Sequence, residues 1–335
     1  MSSDSLAPVY LQSYLEPLAG ILSRDDVTDI YINRPGEVWI ESLGGGIERQ
    51  EFPKLSAQVL DRLARQIAAI SHQGISREHP LLSASLPGGA RTQIVMAPAT
   101  RGALAMAIRK HLLTEIRLED YDADGGFSEG ITGAETARVQ DDRQLQQFFS
   151  EGRYGRLLAA AVRQRRNILV SGGTSTGKTT FLNALIFEIP ARERLIFIED
   201  TPELNLRHDN AVGLIAARSA LGETIVDTDE LLNASLRMRP DRIILGEIRG
   251  REAYTFLRSV NTGHPGSMTT IHADTPDRAI EQLALLVLQA GTQLNRSDIG
   301  DYVRSTIDLF IQLERTPAGK RQVSEIKLSD RIRRS

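Results

Sequence analysis

Gly172-Gly173-Thr174-Ser175-Thr176-Gly177-Lys178-Thr179 fits the pattern G-x-x-x-x-G-K-[ST] at every fixed position. It follows the apolar run Ile168-Leu169-Val170 and precedes a stretch, Lys178 to Phe187, with helical spacing. That strand–loop–helix setting is the one in which such a string binds phosphate. Glycines let backbone N–H groups turn inward around an anion, and the start of a helix adds partial positive charge. Lys178 is placed to reach the β- and γ-phosphates of a triphosphate, and the Thr179 hydroxyl to take a position on Mg²⁺. The candidate nucleotide-binding residues are therefore Gly172, Gly173, Thr174, Ser175, Thr176, Gly177, Lys178, Thr179 and Thr180, with ATP as substrate and Mg²⁺ as cofactor.

Outward from this loop, apolar strands alternate with helices. Strands are expected at 167–171, 195–198, 242–245 and 267–271, and helices at 178–187, 227–236, 251–260 and 276–289. Apolar strands separated by helices of this length predict a parallel sheet covered on both faces, an α/β fold. Hydrolysis needs more than a phosphate cradle: one group to hold the metal or its water, another to orient the attacking water. Arg242-Ile243-Ile244-Leu245-Gly246-Glu247 is an apolar strand followed by a carboxylate, and Leu195-Ile196-Phe197-Ile198-Glu199-Asp200 is a second. In a parallel sheet such strand ends share the edge where ligands bind. Glu247 is a candidate for catalysis and, with Thr179, for the metal; Glu199 is the second catalytic carboxylate. An N-cap carboxylate at Glu247 and a turn acid at Glu199 are the plainer alternatives. His264 and His272 flank another apolar run, and His272, at a strand end, suits a contact to the γ-phosphate or its water.

Toward the N-terminus the pattern is mixed. A helix is expected over 11–22, strands at 27–32 and 37–40, a helix over 55–70, and strands at 91–97 and 103–109. Residues 118–142 are rich in acids and glycine and read as a linker. The division expected is 1–117 for a smaller α+β domain, 118–142 for the linker, and 143–335 for the P-loop domain.

The 335 residues carry a net charge of −3 and no cysteine. This excludes a disulfide frame, a thiolate zinc site and a cysteine nucleophile, and leaves direct nucleic-acid binding weak or absent. No apolar run approaches the ~20 residues of a membrane helix, and the N-terminus lacks the pattern of a signal peptide. The basic tail from Lys320 to Ser335 reads as a solvated, partly frayed terminus, with attraction to anionic lipid headgroups as a second reading.

The succession GGTSTGKTT, IEDTPEL, LRMRPDRIILGEIRGREA and NTGHPGSMTTIHA, in that order, resembles the secretion ATPase superfamily. Within it, the chain is similar to the VirB-eleven-type traffic ATPases of type IV secretion systems. The resemblance implies a RecA-like P-loop ATPase domain behind a PAS-like α+β N-terminal domain. It further implies a homohexameric motor working with other type IV secretion components, cytoplasmic and peripheral at the cytoplasmic face of the inner membrane. Position by position, Glu199 matches the aspartate-box carboxylate, Glu247 the Walker B glutamate and His272 the histidine-box residue. Arg91 and Arg109 match segments whose arginines contact phosphates in the family; ordinary strand-surface arginines are the alternative. Arg237, Arg239 and Arg249 stand near the Walker B run as candidates for service between subunits. The absence of a four-cysteine motif separates the chain from type II secretion ATPases, and Pro265-Gly266-Ser267-Met268 separates it from pilus-retraction ATPases. A conjugation or pilus-assembly ATPase, a ring helicase or DNA translocase, and a nucleotide-switched scaffold with little hydrolysis are the other readings.

Overall fold

The computed structural model describes residues 9–111, 117–123, 133–217 and 222–334. In chain order the first elements are α1 (Val9–Leu22), β1 (Val27–Ile32), β2 (Glu37–Ser42), β3 (Ile47–Glu51), α2 (Ala57–Ile70), β4 (Leu81–Ser85), β5 (Arg91–Met96) and β6 (Leu104–Arg109). Then come α3 (Leu118–Ala123), α4 (Gly133–Ser150), α5 (Tyr154–Arg163), β7 (Ile168–Gly172), α6 (Lys178–Phe187), β8 (Leu195–Glu199) and β9 (Ala211–Ile215). The rest are α7 (Thr228–Ser235), β10 (Arg242–Leu245), α8 (Glu252–Asn261), β11 (Met268–Ile271), α9 (Pro276–Gln289), α10 (Arg296–Thr306), β12 (Leu309–Arg315), β13 (Arg321–Leu328) and α11 (Asp330–Arg334).

By contacts the chain forms two compact units, one of Met1–Leu112 with Arg192–Asp241 and one of Leu113–Ala191 with Arg242–Ser335. The first holds a six-stranded antiparallel sheet in the order β3-β2-β1-β6-β5-β4. Its core is formed by the buried face of α2 (Leu60, Leu63, Ile67) and of α1 (Leu11, Leu18), together with Ile30, Ile94, Met106 and Ile108 from the sheet. Spacing of three and four residues puts the α2 positions on one stripe, and Ser56 caps that helix by accepting from the Val59 amide at 3.3 Å. The parallel pair β8–β9 belongs to the same unit because polar groups tie it there. The fully buried Arg194 donates from Nε to the Met238 carbonyl at 3.0 Å and from a terminal nitrogen to Asn33 at 2.7 Å. Its guanidinium stacks 4.0 Å from the centre of the Tyr31 ring. Burial pushes the Arg194 guanidinium down to about 10, still a cation at neutral pH. The Thr100 hydroxyl and the Arg101 amide both donate to the Gly213 carbonyl of β9, at 3.1 and 2.8 Å.

In the second unit the strands run β13-β12-β7-β11-β10. β12–β7, β7–β11 and β11–β10 pair in parallel, and β12–β13 is an antiparallel hairpin. Ile168, Leu169, Val170, Ile243, Ile244 and Ile311 are buried along with Leu182, Phe256 and Leu283 from the helices. This is the buried-on-both-faces pattern that continuous apolar strands predict.

The basic tail differs from its expectation. Instead of fraying, Arg321–Leu328 is strand β13, and α11 follows. Lys327 pairs with Asp277, and Arg331 pairs with Asp308 and lies 3.7 Å from Asp142. The sequence hid this because β13 lies at the sheet edge and is exposed from Arg321 to Glu325, so it lacks the apolar alternation that marks a half-buried strand. β3, with Ile47 as its one half-buried apolar position, and β4, a short edge strand with Leu82 alone fully buried, were obscured in the same way. No helix among the described residues is long and apolar enough to cross a membrane.

Candidate nucleotide site

β7 ends on Gly172, where a side chain has no room: a Cβ would meet Thr176 Oγ1 at 2.5 Å and the Leu313 carbonyl at 2.9 Å. The loop then turns through Ser175 at φ +61° and Gly177 at φ +92°. Left-handed residues set among ordinary ones turn successive amides inward, into the concave row that binds anions. Thr176 closes the turn by donating to the Gly173 carbonyl at 2.9 Å. Gly177 is the N-cap of α6 and offers no side-chain acceptor, so no side chain caps the first-turn amides of that helix. By contrast α2, α7, α9 and α10 are capped by Ser56, Asp227, Thr275 and Asn295. An anion is the natural acceptor at α6.

Three groups converge beside this loop. Lys178 Nζ donates to the carbonyls of Gly172 at 3.0 Å and Gly173 at 3.3 Å. Glu247, one residue past Gly246 at the end of β10, places Oε1 3.8 Å from Lys178 Nζ. His272, directly after β11, has Nε2 2.8 Å from the same carboxylate oxygen and 3.3 Å from Lys178 Nζ. Because β7, β11 and β10 are consecutive parallel neighbours, their C-terminal ends bring all three side chains to one edge. Arg249 holds Glu247 Oε2 from Nε at 2.7 Å and from a terminal nitrogen at 2.5 Å. Burial lowers the pKa of Lys178, and the neighbouring Glu247 carboxylate opposes that fall. His272 Nε2 stands between an ammonium and a carboxylate. Unprotonated, it accepts from the first; protonated, it donates to the second. Glu247 Oε1 is buried and accepts no hydrogen bond of good geometry, with Lys178 and His272 at ion-pair distance. Thr174 and Ser175 are exposed along the loop, and in the first turn of α6 Thr179 is half-buried and Thr180 exposed.

Glu199 lies in the first unit at the end of β8, with its side chain 3% exposed. Its Oε2 accepts the backbone amides of Glu203 at 2.9 Å and Leu204 at 2.7 Å, and its Oε1 pairs with Arg101. Arg101 also donates to the Leu204 carbonyl at 2.9 Å. Sequence reasoning missed Arg101, which carries no motif and is identified only by what it touches. Arg91 and Arg109, opposite each other on β5 and β6, are exposed, and Arg109 Nε donates to Asp29 at 2.9 Å. Of the three arginines near the Walker B run, Arg249 alone joins the Glu247 cluster. Arg239 bridges Asp241 and Glu41 in the first unit, and Arg237, in the turn after α7, donates to the Asn233 carbonyl of that helix at 3.3 Å. His264 stands in the turn before β11, its carbonyl accepting from the Ser267 hydroxyl at 2.8 Å.

The Arg101–Glu199 pair yields an expected result. Arg101→Ala strips the buried carboxylate of its cation and the Leu204 carbonyl of a donor. Breaking a fully buried pair costs about 3–5 kcal/mol. With the Arg101 side chain 23% exposed, water softens the loss, and about 2–3 kcal/mol is expected from denaturant midpoints. A midpoint equal to that of the wild type would show that the pair contributes nothing.

A profile of the family described as "Type II/IV secretion system protein" matches residues 136–330. The type IV secretion system protein VirB11 of Bartonella henselae is 40% identical over 337 residues, covering 97% of this chain and 94% of that protein. The type IV secretion system protein PtlH of Bordetella pertussis is 39% identical over 324 residues, covering 95% and 94%. Among solved structures, the VirB11 ATPase from the Brucella suis type IV secretion system, in complex with sulphate, superposes with a TM-score of 0.87 at 36% identity over 98% of this chain and 97% of that one.

Proposed function

We propose a catalytic arrangement for a chain that belongs to the type II/IV secretion system proteins and, within them, to the VirB11-type ATPases of type IV secretion. The protein is an ATPase of that family, with an N-terminal domain and a RecA-like ATPase domain. The observation that carries the arrangement is the meeting of Lys178, Glu247 and His272 at the mouth of the glycine loop.

The amides of residues 172–180 take the phosphate chain, and Lys178 exchanges its two loop carbonyls for β- and γ-phosphate oxygens. A hydroxyl at Thr179 and a carboxylate oxygen at Glu247 form a hard-oxygen pair that fits Mg²⁺, and the unsatisfied buried Oε1 of Glu247 supports that fit. When bound, the metal neutralises charge on the terminal phosphates. Glu247 orients the attacking water while Arg249 fixes its other oxygen. His272 senses the γ-phosphate, since its Nε2 stands between Lys178 and Glu247 and its partner switches with the charge around it. Glu199, Arg91 and Arg109 are kept as further participants on the family resemblance, Glu199 as a carboxylate held in one orientation and the arginines as phosphate contacts. The division at 1–117, 118–142 and 143–335, with a PAS-like first part, belongs to the same reading.

The working assembly is a homohexamer, peripheral at the cytoplasmic face of the inner membrane. There it drives pilus biogenesis or the transfer of DNA or protein together with other secretion components. Relatives supply the support for this larger picture.

Purified full-length chain with Mg²⁺ and ATP is expected to release phosphate, and a chelator in excess is expected to reduce that release to background. Turnover indifferent to chelation would remove the metal role of Thr179 and Glu247. Particle mass measured with and without nucleotide should give a six-fold ring; a monomer in both states would sink the motor assembly.

A further inference from the structure

The β12–β13 hairpin gathers three cations at the edge of the sheet that carries the glycine loop. β12 runs parallel to β7 with Leu313 opposite Gly172, so the hairpin tip rises beside the loop. Arg315 ends β12, Lys320 lies in the turn, and Arg321 opens β13 directly opposite Arg315. All three are exposed, and among the described residues none of them makes an ion pair. Like charges facing each other across a strand pair are destabilising, and no ion pair among the described residues offsets them. The Arg321 side chain extends over the phosphate loop: a Cβ on Gly177 would meet its Cδ at 3.1 Å, with Nε and a terminal nitrogen at 3.8 Å. A guanidinium therefore hangs beside the N-terminus of α6, with its donors not committed to any carboxylate. Electrostatic repulsion within the hairpin and partial positive charge at the helix start both fall when a polyanion sits between them.

We propose that Arg321 is a nucleotide-binding residue, contacting the phosphate chain over Gly177, with Arg315 and Lys320 adding to the field. The proposal rests on the reading of 172–180 as the nucleotide loop and extends it to a strand near the C-terminus that no motif marks. Guanidinium suits this place because its planar fork can bind two phosphate oxygens at once.

Binding of ADP and of inorganic tripolyphosphate to the full-length protein, measured by calorimetry, tests it. Arg321→Ala is expected to weaken both ligands about tenfold, the scale of one charge-assisted hydrogen bond. Arg321→Glu is expected to weaken them further, and Arg321→Lys to recover part of the loss. Because Arg321 is exposed on an edge strand and faces Arg315, melting temperatures should not fall below the wild-type value, which separates lost binding from lost folding. Wild-type affinity for both ligands in Arg321→Ala would overturn the proposal. So would a loss confined to ADP, since that pattern belongs to stacking on the base. A wild-type chain that takes up neither ligand would overturn the nucleotide reading itself. If tripolyphosphate binding is lost in Lys178→Ala but is untouched in both Arg321→Ala and Arg321→Glu, only the Arg321 proposal falls.

Discussion

Lys178→Ala is expected to abolish measurable ATP turnover and to weaken nucleotide binding by about a hundredfold or more. The ammonium is half-buried and bonded to Gly172 and Gly173, so the loop is built around a cation. Removing one well-placed donor to developing charge in a water-poor site costs about 10²–10³ in rate. Here the same donor also holds the ground-state phosphates, so affinity falls together with rate. A second consequence follows for Glu247. Its Oε1 would keep His272 at ion-pair distance, an imidazole that carries charge only when protonated. Phosphate release within a few-fold of wild type in this variant would remove the loop from the catalytic site.

Glu247→Gln preserves size and position but removes the negative charge. Turnover is expected to fall by about 10²–10⁴, the usual share of a positioned acid–base group, while ATP still binds within a few-fold. Comparison with Lys178→Ala therefore separates binding from chemistry. The variant should also shift the alkaline limit of binding. Burial lowers the Lys178 pKa, and the Glu247 carboxylate works against that. The ammonium binds phosphate only while protonated, so affinity is lost as pH rises through its pKa. Without the carboxylate the pKa falls further, and the loss of affinity begins at lower pH. An alkaline limit unmoved in Glu247→Gln would mean that the two groups do not interact; unchanged turnover would remove Glu247 from the reaction.

Much of the P-loop unit is legible in the sequence because its chemistry is local. The loop needs glycine at a position without room for a Cβ and again at a positive φ, and Gly172 and Gly177 stand there. Helix α6 (Lys178–Phe187), strand β10 (Arg242–Leu245) and helix α9 (Pro276–Gln289) coincide with their expected limits. Each has signals within a few residues: a continuous apolar run, or a cap such as Thr275 followed by Pro276. Elements without such signals were not legible. β13 is the clearest case, exposed for most of its length; β12, by contrast, carries an apolar run and α10 an Asn295 cap, signals of the same local kind that the sequence reading passed over.

From residues alone came the phosphate loop, the two strand-end acids, His272 and a parallel α/β arrangement, because glycine freedom, apolar runs and the charge of lysine and glutamate are properties of short segments. Tertiary structure decided which side chains answer one another. Arg101 on Glu199, Arg194 against Tyr31 and Arg321 over Gly177 join residues far apart in the chain, whereas Arg249 reaches Glu247 from two residues away, along a loop whose course the fold sets. Arginine is flexible and common on surfaces, so its partner is set by distances in space that spacing along the chain does not encode.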